Sequence, residues 1–131
     1  MNINELFGVS GKVAIVTGGS RGIGEMITSG FLANGVKVYI TARKEGPLIE
    51  KAEELSKKYN GDCIPIACDL SSTVGTNYFV EKILKHEKGI DFLINNAGAA
   101  WGEPYKSFSE SGWDKVMDLN VKSLFFLTQK I

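Results

Sequence analysis

Cysteine is scarce in this chain: Cys63 and Cys68 are the only two in 131 residues. Their odd offset of five near one strand-like run puts them on opposite faces. That argues against a disulfide and for small core residues in a reducing, cytoplasmic setting. Histidine is scarcer still. His86 stands alone near a polar helix end, without the partners that metal binding or proton transfer would need, and reads as a solvated surface residue. Long apolar runs are missing, so no segment reads as membrane-spanning. Met1-Asn2-Ile3-Asn4-Glu5 lacks the positive region and apolar core of a signal peptide. An excess of one charge is also missing, since 15 basic residues balance 15 acidic ones. With no basic stripe and no acidic tail, neither nucleic acid nor a strongly basic partner is expected. Repeats, low-complexity segments and long linkers are absent, and 131 residues predict one domain, 1–131.

What the chain has in quantity is glycine, and its placement is informative. Thr17-Gly18-Gly19-Ser20-Arg21-Gly22-Ile23-Gly24 follows the apolar run Lys12-Val13-Ala14-Ile15-Val16 and precedes a helix-compatible stretch. A strand, a glycine turn and a helix N-terminus together make a site for a pyrophosphate. Glycine lets the backbone turn tightly and approach a ligand closely, and the first helical N–H groups lack internal partners and favour an anion. The G-x-G-x-x-G fingerprint is not present in that form. The nucleoside triphosphate loop fails as well, because Glu25 stands where it needs a lysine. The pattern present is T-G-x-x-x-G-x-G. It predicts a dinucleotide and, with it, redox chemistry.

Strands and helices alternate along the rest of the chain. Residues 12–17, 36–42, 62–68 and 91–95 read as strands, the first as a continuous apolar run suited to burial on both faces. Pro65 suggests that the third lies at an edge. Helices are expected over 22–34, ended by Asn34-Gly35, over 45–59, ended by Asn60-Gly61, and from the cap region Ser71-Ser72-Thr73 to about Lys88. A last helical region begins near Ser109 and continues to Ile131. This order predicts an α/β fold, a three-layer, doubly wound parallel sheet with spatial order 3-2-1-4. Ligands then bind outside the carboxyl ends of strands 1 and 4, where the glycine loop and Asn95-Asn96-Ala97-Gly98 converge.

Four features in order resemble the short-chain dehydrogenase/reductase family, whose domain is of the Rossmann type. They are the glycine loop, Asp69-Leu70 after strand 3, Asn95-Asn96-Ala97-Gly98 after strand 4, and Asn120 in Asp118-Leu119-Asn120-Val121. The resemblance implies that Gly18, Ser20, Arg21, Gly22, Ile23 and Gly24 hold the dinucleotide. It implies that Asp69 accepts a hydrogen bond from the adenine amino group beside Leu70. It also implies that Asn96, Ala97 and Gly98 tie the central sheet and line the cofactor. Asn120 is implied to be catalytic, kinking its helix and helping to hold a water in the proton relay. A turn-forming Asp69 and a surface Asn120 are the plainer alternatives.

The choice of cofactor is readable from charge. From Val36 through Lys44 there is no acid to bind a ribose 2′-hydroxyl; Arg43 and Lys44 stand there instead, with Arg21 in the glycine loop. Guanidinium groups suit a 2′-phosphate, so NADP(H) is expected over NAD(H), with Glu45 close by as the opposing sign.

Family members use a serine and a Y-x-x-x-K pair that the resemblance places beyond Ile131. Tyr78-Phe79-Val80-Glu81-Lys82 has that spacing but precedes strand 4, and reads as an amphipathic helix face. The expectation is therefore the cofactor-binding N-terminal half of a longer reductase domain, homodimeric or homotetrameric when whole. Its expected substrate is a small-molecule ketone or secondary alcohol. The segment Asn96–Pro104 with Ser111–Met117 looks like that of 3-oxoacyl (ketoacyl) reductases; sugar-alcohol and steroid substrates stay open. Trp101 reads equally as a substrate-pocket wall or as loop packing. The rival class is a non-catalytic dinucleotide-binding module or truncated isoform, because the proton donor is absent from these residues.

Overall fold

Four parallel strands form the centre of the molecule, in the order β3-β2-β1-β4. They are β1 (Val13–Thr17), β2 (Lys37–Ala42), β3 (Cys63–Ala67) and β4 (Phe92–Ile94) in a computed structural model describing residues 1–131. β1 lies between β2 and β4, with Val16 opposite Ile40 on one side and Ile94 on the other. Its Ala14, Ile15 and Val16 are wholly buried, which is why the run carries no polar alternation.

Successive side chains of β1 and β2 feed two cores. Ala14, Val16, Val38 and Ile40 pack with Leu32 of helix α2 (Gly22–Ala33) and Leu48, Ala52 and Leu55 of α3 (Glu45–Tyr59). Ile15 and Tyr39 pack with Phe79, Val80 and Ile83 of α4 (Thr73–Leu84), and with Leu127. Each of these large side chains contributes about 1.5–3 kcal/mol on burial. Cys63 joins the first core and Cys68 packs against the second, on opposite faces, and both thiols are free.

β3 pairs only with β2 and forms the edge that Pro65 predicts. Asn60 ends α3 in the left-handed region at φ 49°. The Tyr78-x-x-x-Lys82 pair lies on the outer face of α4, where Tyr78 is exposed and Lys82 Nζ sits 5.4 Å from its ring centroid.

Three elements differ from expectation. The N-terminus forms a short helix, α1 (Ile3–Phe7), because Asn2 and Glu5 cap it reciprocally: each backbone N–H donates to the other side chain at 2.9 Å. The helix expected to reach Lys88 ends at Leu84. Beyond it, Glu87 turns toward the sheet, where its Oε1 accepts from Tyr39 Oη at 2.6 Å and Lys37 Nζ at 2.9 Å. The last helical region is three pieces. α5 (Glu110–Met117) and α6 (Leu124–Lys130) flank a π-helical segment, Asp118–Ser123.

Candidate cofactor site

The glycine loop leaves β1 at the carboxyl edge of the sheet and enters α2 at Gly22. Gly22 has φ +57°, and a Cβ there would meet nothing within 4 Å, so this part of the loop is an open cradle. Gly24 is the opposite case. A Cβ on it would lie 2.1 Å from the Gly18 carbonyl oxygen and 2.5 Å from Asn96 Nδ2, so the helix approaches the turn as closely as backbone permits. Arg21, the residue before α2, is extended and gives the helix no side-chain cap. α4 and α5, by contrast, are capped by Ser72 and Ser109. The first N–H groups of α2 are therefore left for an outside acceptor, and a negative charge is the favoured one. Ser20 is half-buried beside them, and Ile23 is 71% exposed, an apolar side chain with its face to solvent.

The second loop meets the first. Asn96 Nδ2 donates to the carbonyls of Thr17 at 2.9 Å and Gly18 at 3.2 Å. The Thr17 hydroxyl accepts from the backbone N–H groups of Asn96 at 3.0 Å and Ala97 at 2.9 Å, and donates to the Ile94 carbonyl at 3.3 Å. The asparagine thus spends its amide locking the ends of β1 and β4. Ala97 is left as a small half-buried residue and Gly98 as an exposed one at the crevice.

The remaining site residues sit around this junction. Asp69 forms the turn after β3: its Oδ1 accepts from the Ser71 N–H at 3.0 Å and the Ser71 hydroxyl at 2.7 Å, while Oδ2 takes no bond from the chain. Leu70 buries its side chain in the second core, so only its main chain can meet a ligand. Arg21 and Arg43 are exposed and enter none of the ion pairs of the chain. They follow neighbouring strands β1 and β2 at the same edge. Glu45 starts α3, where a carboxylate is favoured by the helix dipole. Burial raises the Cys68 thiol above its ordinary pKa, so this neighbour of Asp69 adds no charge.

Asn120 lies in the π-helical segment, and its amide reaches the second loop through both its oxygen and its nitrogen. Its Oδ1 accepts from the Ala99 N–H and its Nδ2 donates to the Ala99 carbonyl, both at 2.8 Å. This two-point grip accompanies the irregular turn, as expected where a side chain competes with helical geometry.

Two contributors escaped the sequence reading. Thr17 was visible only as the start of the glycine pattern, although its hydroxyl is the hub between β1 and β4. Thr28, fully buried on α2, points its hydroxyl at the carbonyls of Gly19 (3.1 Å) and Gly24 (2.9 Å), fastening helix to loop. The available signal was a hydroxyl on the apolar side of a helix. Asn95 also reaches α6, donating to the Thr128 hydroxyl at 3.2 Å.

A glycine cradle at an uncapped helix start, facing a clasped second loop across adjacent parallel strands, defines a dinucleotide-type domain. Residues 12–131 match the family model described as short chain dehydrogenase, and the chain belongs to that family. It is 43% identical over 125 residues to the rhamnolipids biosynthesis 3-oxoacyl-[acyl-carrier-protein] reductase of Pseudomonas aeruginosa, covering 95% of this chain and 48% of that protein. The solved Pseudomonas aeruginosa RhlG/NADP active-site complex superposes with a TM-score of 0.87 at 44% identity, over 95% of this chain and 48% of that one. The L-sorbose reductase of Gluconobacter frateurii, complexed with NADPH and L-sorbose, superposes with a TM-score of 0.91 at 32% identity, over 95% and 47%. The chain spans about half the length of the curated relatives it matches. No helix is long and apolar enough to cross a membrane.

Proposed function

We propose that this chain is the NADP(H)-binding half of an oxidoreductase that moves a hydride between nicotinamide and a ketone or secondary alcohol, with a 3-oxoacyl thioester as the substrate class. The observation that carries the reading is the open, uncapped start of α2 beside two unpaired guanidinium groups. Similar proteins solved with NADP or NADPH support the cofactor. The 3-oxoacyl reductase relative supports the substrate.

In this reading Gly18, Ser20, Gly22, Ile23 and Gly24 surround the diphosphate, and Arg21 and Arg43 pair with the 2′-phosphate. The free Oδ2 of Asp69 and the Leu70 main chain meet the adenine. Asn96, Ala97 and Gly98 shape the wall for the ribose and ring. When bound, the reduced nicotinamide supplies hydride to the carbonyl carbon. Asn120 contributes through its fixed grip on Ala99, and its main chain in the π-helical segment holds a water for the proton path. In this reading the serine, tyrosine and lysine that complete proton transfer come from the enzyme's second half. The exposed Val121, Leu124 and Phe125 suit burial against that half or another subunit.

The cofactor assignment is tested by Arg43→Asp in a fluorescence titration. Loss of a charge-assisted pair costs about 1.5–3 kcal/mol, so NADPH binding is expected to weaken at least about tenfold, with NADH changing little or gaining. Equal weakening of both cofactors would contradict the assignment.

A further inference from the structure

The loop from Gly98 to Ser109 leaves the floor of the crevice and is pinned at both ends. Asn120 grips Ala99 at its start. At its other end Glu103 collects three donors. Its Oε1 accepts from Trp101 Nε1 at 2.7 Å and the Ser109 hydroxyl at 3.0 Å, and its Oε2 accepts from the Ser109 N–H at 2.6 Å. That hydroxyl also caps α5 by accepting from Gly112 N–H at 3.0 Å.

Trp101 is held on further sides. Lys115 Nζ stands 3.8 Å from the centroid of its ring. A Cβ on Gly112 would lie 2.5 Å from Trp101 Cδ1, so the indole rests directly on the backbone of α5. Yet Trp101 remains 48% exposed. Fixing a large ring that stays half in solvent gains little for folding. It gives a preorganised apolar surface, whose ordering cost is met before any ligand arrives. An aliphatic chain matches the apolar face of the indole.

We propose that Glu103 is a positioning residue that holds Trp101 as an apolar wall at the mouth of the crevice, where it receives the aliphatic chain of a 3-oxoacyl substrate. This rests on the function proposed above and extends it to chain-length selection. Trp101 makes the contact, and Glu103 acts through it.

The test uses the complete polypeptide with NADPH and two substrates, acetoacetyl-CoA and 3-oxodecanoyl-CoA. Trp101→Ala is expected to raise KM for the long substrate about tenfold more than for the short one, the weight of roughly two methylene groups against apolar surface. Glu103→Gln should reproduce most of that selective rise, because an amide nitrogen accepts from no donor and must face either the Ser109 N–H or the pair formed by Trp101 Nε1 and the Ser109 hydroxyl. The double variant should add little, and NADPH affinity should hold. Equal KM rises for both lengths, or a Glu103→Gln enzyme with wild-type chain-length preference, would overturn the assignment. A second readout is independent of turnover. In a Trp113→Phe background the Trp101 emission, taken as the difference from the matching Trp101→Phe variant, should red-shift and be quenched more by acrylamide when Glu103→Gln is added. Unchanged emission would overturn the clamp. Reduction of neither thioester by the wild-type enzyme, with the emission shift intact, would refute the 3-oxoacyl substrate and leave the clamp standing.

Discussion

Gly24→Ala is expected to destabilise the domain by about 3 kcal/mol, the upper range for forcing an extra methyl into a packed site, and to remove measurable NADPH binding. The added carbon would meet the Gly18 carbonyl at 2.1 Å and Asn96 Nδ2 at 2.5 Å, and neither can yield cheaply. The first is backbone in the turn; the second is held by two carbonyls. Relief requires α2 to move off the sheet, which also pulls Thr28 from the carbonyl of Gly19. In thermal unfolding the loss corresponds to a fall of about 10 °C, taking 2–4 °C per kcal/mol for a domain of larger size. Gly22→Ala is the matched control. Its methyl meets no protein atom, and the strain of a left-handed alanine is about 1–2 kcal/mol, but the methyl points into the cradle. Gly22→Ala should therefore lose cofactor affinity with a smaller loss of stability. If Gly24→Ala unfolds within 1 or 2 °C of wild type and binds NADPH normally, the packing role of Gly24 is wrong.

The contrast between these glycines shows what the sequence could and could not express. The strand-turn-helix punctuation located the loop, and the continuous apolar run of β1 required burial on both faces. Together with alternating elements these imply the parallel order 3-2-1-4 that the sheet has. A one-letter pattern does not distinguish an open glycine from a filled one, because that depends on what approaches from residue 96. Long-range polar contacts were hidden for the same reason. Glu87 stops α4 early by bonding Tyr39 and Lys37, some fifty positions away along the chain. Asn120 was singled out by its family position, but its partner Ala99 carries no polar side chain and gave no signal. The short helix at the N-terminus was legible in principle, since Asn2 and Glu5 have the spacing of a capping box. Its apolar residues Ile3, Leu6 and Phe7 are exposed, so no burial pattern drew attention to it.

The largest effect from a single hydroxyl is expected at Thr17. Thr17→Val keeps the shape of the side chain, and the residue is only 2% exposed, so packing is preserved. What is lost is the acceptor for the Ala97 N–H, one of the two acceptors of the Asn96 N–H, which keeps the Ile94 carbonyl, and the hydroxyl donor to that same carbonyl. The Ala97 N–H is the group left without a partner, at a cost of about 1–3 kcal/mol. β4 contributes only Phe92–Ile94 to the sheet and depends on this clasp at its carboxyl end. Its loss should therefore free residues 96–98 and weaken NADPH binding together with stability. Thr17→Ser retains the hydroxyl and should fall within about 1 kcal/mol of wild type, the range of a deleted methyl group. Asn96→Ala breaks the same junction from the other side. A double-mutant cycle between positions 17 and 96 should show coupling of about 0.5–3 kcal/mol, read from urea unfolding midpoints at constant m. Strict additivity, or a valine variant as stable as the serine one, would mean that β1 and β4 are held by packing alone and that the hydroxyl is incidental.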